Sequence, residues 1–274
     1  MITFRQLVSA LRDFGIERSR PVIAHASLSA FGEVQGGAET LLGALLYCFD
    51  TLIMPSFTYR TMVVPEIGPA ENGLAYGRFR DANLAAQFFH PNMPVDRLMG
   101  VLPEALRRDP KSSRSFHPIL SFVGVNADNY LASQTLTEPL QPIGLLMDAQ
   151  GWVLLLGVDH TVNTSLHYAE RLAGRKQFMR WALTSEGIVE CPQFPGCSDG
   201  FNEIASALAQ VTRKMQIGQA WVQAIPLVDL TSTARAIVEA DPLALLCENS
   251  YCERCPVIRD QVTAAAAQFP ILLP

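Results

Sequence analysis

Residues 152–175 read WVLLLGVDHTVNTSLHYAERLAGR, and this stretch decides the fold. Val153 to Leu156 is a short, continuous apolar run, as expected of a strand covered on both faces. Gly157 ends it, and Asn163 or Thr164 can cap the helix that follows. His167 then falls at about the third or fourth helical residue, with Glu170 one turn further on. A strand feeding directly into a helix is the unit of an α/β fold, and in open α/β sheets ligands bind outside the carboxyl ends of the strands. The partial positive charge of a helix N-terminus disfavours a further charge on an imidazole placed there, which suits a general base. Two other readings apply to the same residues. His167 can be a structural histidine, or His160, His167 and Glu170 can be metal ligands, since i and i+3 side chains share a helix face.

Composition narrows the class of protein. The 274 residues are 49% hydrophobic and 17% charged, the balance of a compact enzyme-like globule with a substantial core and not of a disordered scaffold. A net charge of −5 and a pI near 5.6 argue against nucleic acid as a partner, because phosphate neutralisation needs a basic face. The first residues, MITFRQLVSALRDFG, place Phe4, Leu7, Leu11 and Phe14 at helical spacing behind a Thr3/Gln6 capping box. This is an amphipathic helix and not a signal peptide, and no apolar run approaches the roughly 20 residues of a membrane span. The expectation is a cytoplasmic protein with no membrane partner, either a monomer or a homodimer.

Working outward, a strand near Pro21 to Ala24 enters the loop HASLSAFGEVQGG, and Gly36 and Gly37 open an apolar helix to about Phe49. Strand, Ser- and Gly-rich loop, then helix N-terminus is a generic cradle for a phosphate or a polar chain on backbone N–H groups. The spacing is neither G-x-G-x-x-G nor a Walker motif, so no nucleotide fingerprint applies. Thr51 to Met54 predicts a second strand leading into PSFTYR, and residues 63–96 form a long insert without periodicity. A helix over Leu98 to Arg108 is followed by RSFHP at 114–118 and a strand from Ile119 to Val125. Arg114, Ser115 and His117 offer a fork donor and two hydrogen-bonding side chains suited to a phosphate or carboxylate. The alternative for Arg114 is a loop arginine spent on backbone carbonyls. Beyond the central helix the pattern predicts a hairpin at Phe178–Leu183 and Ile188–Cys191. A helix from Phe201 to Lys214, a strand at Val222–Leu230 and a last helix at Ala234–Leu246 follow. No linker or repeat divides the chain, so one α/β domain over 1–274 is expected.

Six cysteines in a cytoplasmic chain do not form a disulfide framework. Cys48 sits in an apolar helix and reads as core. Cys247, Cys252 and Cys255 in the tail CENSYCERC supply three of the four ligands of a structural zinc, and a fourth would have to come from Cys191, Cys197 or a histidine. Reduced, packed thiols with no metal are expected, with zinc the alternative.

Six blocks in order carry a resemblance. They are HASLSAFGEVQGGAETLLGAL (25–45), LIMPSFT (52–58), MGVLPEALRRDP (99–110), RSFHPILSFVGVNAD (114–128), WVLLLGV with TSLHYAE (152–170), and FPGCSDGF (194–201). Together they resemble the aminoglycoside 3-N-acetyltransferase family, antibiotic acetyltransferases outside the GNAT fold. The resemblance implies a large antibiotic-acetyltransferase-like α/β domain, with a central mixed sheet flanked by helices. It also implies acetyl-CoA as co-substrate and a small-molecule amine acceptor, here a polycationic aminoglycoside acetylated at its 3-amino group. It assigns the pantetheine arm to Ser27, Leu28 and Ser29, with Phe31 and Gly32 shaping the loop. Arg114, Ser115 and His117 are assigned to CoA, and Thr164, His167 and Glu170 to catalysis. With His167 as base, transfer is direct and needs no cysteine nucleophile.

The resemblance departs at the 63–96 insert, expected on the acceptor side, and at the 247–255 tail. Glu66, Glu71, Asp81, Asp148 and Asp159 are the carboxylates available to a polycation. The alternatives are a related acetyltransferase acting on a non-antibiotic amine, a CoA-binding homologue without transfer activity, and a metallohydrolase using His160, His167 and Glu170.

Overall fold

Three of the apolar runs, Val22–Ala26, Leu52–Pro55 and Trp152–Leu156, lie side by side as the parallel centre of a seven-stranded sheet. The computed structural model describes residues 1–78 and 80–268. In chain order the strands are β1 (Val22–Ala26), β2 (Leu52–Pro55), β3 (Met62–Val63), β4 (Ser112–Arg114) and β5 (Phe122–Val125). They continue with β6 (Trp152–Leu156), β7 (Phe178–Thr184), β8 (Gly187–Phe194), β9 (Arg213–Ile217) and β10 (Ala220–Pro226). The helices are α1 (Phe4–Asp13), α2 (Gly37–Cys48), α3 (Arg80–Leu84), α4 (Val101–Arg108) and α5 (Asp128–Ala132). After them come α6 (Gln141–Asp148), α7 (Thr164–Leu172), α8 (Leu227–Ala240) and α9 (Cys255–Gln268).

The main sheet runs β4-β5-β2-β1-β6-β10-β9, with antiparallel pairs flanking the parallel centre, while β3, β7 and β8 form a smaller second sheet. Alternate residues of the central strands face opposite layers. Val22, Ala24, Leu154 and Leu156 pack under α1, α2 and α4, whereas Ile23, Val153 and Leu155 pack under α6, α7 and α8. The connections leaving β1 and β6 therefore depart to opposite faces of the sheet. Between neighbouring parallel strands this opens a crevice at their carboxyl ends, the place where open α/β sheets bind ligands. The Thr3/Gln6 capping box of α1 is present, with the Thr3 hydroxyl accepting from the Gln6 N–H.

Two expectations change, and two further segments gain a defined structure. The stretch from Phe201 is a short 3₁₀ turn over Phe201–Ala205 and then β9, so the long helix to Lys214 does not form. Its apolar residues Phe201, Ile204 and Leu208 do keep helical spacing and are buried, but Gly218 at φ +61° turns the next segment back as a β9–β10 hairpin. The strand expected to reach Leu230 stops at Pro226, where α8 begins, well before Ala234. The cysteine tail leads into a helix, since Cys255 opens α9. Finally, the 63–96 insert is tied to the second sheet. Asn72 exchanges hydrogen bonds with the Met179 backbone, the Phe89 N–H donates to the Leu183 carbonyl, and Tyr76 packs edge-on against Trp181.

Two buried histidines make the fold sensitive to acid. Burial lowers His25 on β1 to about 3 and His117 before β5 to about 4. A depressed histidine contributes stability that is complete above the unfolded value near 6.5 and is lost as pH falls below it, because the unfolded chain takes up the proton first. Between pH 7 and pH 5 the unfolding free energy is expected to fall by about 2 kcal/mol per histidine. Urea titration at the two pH values checks this. A His117→Gln variant that kept the full slope would show that His117 contributes nothing to it.

Candidate active site

The crevice is a cavity of about 930 Å³ walled by the loop after β1, by residues 97–103, by the loop between β6 and α7, and by residues 194–198. Parallel pairing of β1 with β6 sets the two loops side by side, and the Ser27 N–H donates to the Leu156 carbonyl at 3.0 Å. Gly157 is required at this contact: its φ is +70°, and a Cβ there would stand 2.6 Å from Ala30 of the facing loop. Ser27, Leu28, Ser29 and Gly32 line the cavity, and the Ser27 and Ser29 hydroxyls lie 3.1 Å apart. Phe31 turns away into the core as a fully buried side chain.

Across the cavity, α7 presents Thr164 and His167. Asn163 is the N-cap, its side-chain oxygen accepting from the Ser165 N–H, which places His167 at the fourth helical residue. Nδ1 of His167 lies 2.8 Å from Oε2 of Glu170, and the ring packs on Phe201 with centroids 4.7 Å apart. Glu170 is buried, and its other oxygen accepts from Nη1 of Arg175 at 2.5 Å. Nη2 of Arg175 in turn donates to the carbonyls of Pro242 and Ala244. A carboxylate paired with a guanidinium accepts a hydrogen bond from Nδ1–H, which fixes the tautomer with Nε2 as the free acceptor. Arg175 is a site residue that sequence reasoning missed.

Arg114, Ser115 and His117, which the resemblance assigns to CoA, do not line this cavity. The Arg114 guanidinium donates to Ser121 Oγ and to the carbonyls of Ser56, Pro91 and Met93, pinning the end of the 63–96 insert to the end of β2. Ser115 Oγ accepts from the Phe122 N–H, and Nδ1 of His117 accepts from the N–H groups of Ile119 and Leu120. All three brace the entry to β5. Nor does any described residue of 63–96 line the cavity, whose first wall residue beyond the insert is Arg97.

Glu66, Glu71, Asp81, Asp148 and Asp159 also lie outside the lining. Glu33 is its carboxylate among the described residues, with Arg97 and Arg254 as its cations. His160 is turned toward Asn163, and His160, His167 and Glu170 do not converge as a ligand set. Among the described residues the group that does converge is Cys197, Cys247, Cys252 and Cys255. Cys191, in β8, stays apart in the core, as does Cys48 in α2. Among the described residues no helix is long and apolar enough to cross a membrane.

Fold and site together define an α/β protein with a cavity at the carboxyl edge of parallel strands, lined by a carboxylate-paired histidine. Residues 23–239 match the family model Antibiotic_NAT, aminoglycoside 3-N-acetyltransferase. The curated aminoglycoside N(3)-acetyltransferase III of Salmonella sp is 30% identical over 245 residues, covering 78% of this chain and 82% of that protein. Among solved structures, an aminoglycoside acetyltransferase AAC(3)-IVa variant in complex with a gentamicin superposes with a TM-score of 0.77 at 24% identity, covering 94% of this chain and 97% of that one. AAC-IIIb as a binary complex with CoASH superposes at 0.70 and 24% identity, covering 87% and 96%. The chain belongs to the aminoglycoside 3-N-acetyltransferase family and is an acyltransferase of that class.

Proposed function

We propose that this enzyme transfers the acetyl group of acetyl-CoA to the 3-amino group of an aminoglycoside, directly and with His167 as general base. The observation that carries the reading is the buried His167–Glu170–Arg175 chain, which ends at a cavity whose opposite wall is the Ser27–Gly32 loop. The related structures with CoASH and with gentamicin support the same pair of substrates.

In the step proposed, the acceptor amine attacks the thioester carbonyl carbon while Nε2 of His167 removes its proton. The tetrahedral oxyanion is met by the Ser27 and Ser29 hydroxyls or by backbone N–H groups of the loop. Collapse breaks the C–S bond, forms the amide, and returns a proton to the CoA thiolate. Glu170 holds the imidazole in one tautomer and balances the imidazolium as it forms. Thr164, on the same wall, positions the acceptor.

One observation favours a second reading of the acceptor. A polycation is held best by several carboxylates, and the described lining offers Glu33 opposite Arg97 and Arg254. This lining also suits a smaller amine metabolite. A panel of aminoglycosides, amino sugars and simple amines separates the two, with the acetylated nitrogen located by NMR of the product. The principal reading expects the highest kcat/KM on 3-amino-bearing aminoglycosides. Preference for a monoamine, or acetylation at another nitrogen, would overturn it.

A further inference from the structure

We propose that Cys197, Cys247, Cys252 and Cys255 form a structural zinc site that staples the 194–198 wall of the cavity to the C-terminal segment. The four Sγ atoms lie within 4.8 Å of one another although Cys197 is 50 residues from the next of them in sequence. A tetrahedral zinc with Zn–S of about 2.3 Å requires S–S edges of about 3.8 Å. The Cys197–Cys247 and Cys247–Cys255 separations are 3.7 and 3.6 Å, too long for a disulfide and close to that edge. Three of the four residues are buried, and Cys252 is half-buried.

Independent features suit thiolate ligands. The Asp199 N–H points at Cys197 Sγ and the Cys255 N–H at Cys252 Sγ, both at 3.4 Å, as backbone donors do around metal-bound sulfur. The segments that carry the thiols are tied together by two arginines: Arg259 donates to the Cys247 carbonyl at 2.8 Å and to Glu248, and Arg254 donates to the Pro195 carbonyl. On binding, each thiol gives its proton to solvent as its sulfur takes the ion. A cluster kept only for packing would gain nothing from bringing four polarizable sulfurs together in this geometry; an apolar quartet would fill the space as well.

The placement gives the ion its task. Cys197 lies between Gly196 and Ser198, which both line the cavity, and Cys255 follows Arg254, which lines it too. Cys247 comes three residues after Ala244, whose carbonyl holds Arg175. One ion would thus fix the cavity wall, the anchor of the His167–Glu170–Arg175 chain, and the start of α9.

The test is elemental analysis of enzyme purified without added zinc or chelator, with thiol titration on the same sample. The expected result is one zinc per chain retained through gel filtration, retained by Cys191→Ser and lost from Cys252→Ser. Stripping the ion with a mercurial or a strong chelator should lower Tm by about 10 °C. Cobalt substitution should give the intense visible and near-ultraviolet bands of a tetrahedral thiolate site, a readout that does not depend on activity. Should Cys252→Ser fail to fold, the cobalt spectrum and zinc content of the wild-type chain decide alone. Folded wild-type enzyme without zinc and with six titratable thiols, disulfides among these cysteines, or iron in place of zinc would each overturn the proposal.

Discussion

Replacing His167 by alanine is expected to lower kcat for acetyl transfer by about 10²–10⁴, the range a positioned general base supplies. Affinity for acetyl-CoA should hardly change, because the loop proposed to bind it stands on the opposite wall of the cavity. Tautomer and access set this expectation. Glu170 occupies Nδ1, so Nε2 is the acceptor available on the cavity side of α7. A glutamine at this position fills most of the space and keeps a polar group but cannot take a proton, so His167→Gln should be as impaired as His167→Ala. Rapid-quench or thiol-release kinetics with calorimetry for acetyl-CoA separates the chemical step from binding. Activity within about tenfold of wild type in both variants would remove His167 from the general-base role.

The second large effect is expected at Arg175. Its guanidinium is buried, pairs with Glu170 and donates twice to the 242–244 backbone, so removing it leaves an uncompensated carboxylate and two unsatisfied carbonyls. Breaking a buried pair in this way costs about 3–5 kcal/mol. Arg175→Met should therefore lower Tm by about 10 °C and reduce kcat, because Glu170 is then free to rotate away from Nδ1. Arg175→Lys retains the charge but not the fork, and should recover part of kcat while remaining destabilised. Such a split between charge and geometry marks a positioning role. A methionine variant with wild-type kcat would show that Glu170 needs no partner to orient the imidazole.

The core of this site was legible because it is local. Strand, Gly157, the Asn163 cap and the i to i+3 spacing of His167 and Glu170 all lie within one stretch, and helical geometry brings the pair together without tertiary help. The loop at 27–32 was legible for the same reason. Arg175 was not, because its partners Pro242 and Ala244 are some seventy residues away, and nothing local distinguishes it from an arginine beyond a helix end. The partners of Arg114 were equally hidden. A fork donor beside Ser115 and His117 suits an anion, yet in the fold it satisfies carbonyls at Ser56, Pro91 and Met93 that no local pattern announces.

The β9–β10 hairpin was hidden because Phe201, Ile204 and Leu208 keep helical spacing although the 3₁₀ turn ends at Ala205 and β9 follows at Arg213. Cys197 illustrates the limit of spacing rules most sharply: Cys252 and Cys255 announce a pair, but only the fold selects Cys197 over Cys191 as their neighbour.

The most direct test of the proposed reaction is thiol release from acetyl-CoA by the purified chain in the presence of a 3-amino-bearing aminoglycoside. One CoA thiol is expected per amide formed on that aminoglycoside, with release falling to background in His167→Ala. No aminoglycoside-dependent release from a folded protein that still binds acetyl-CoA would contradict it.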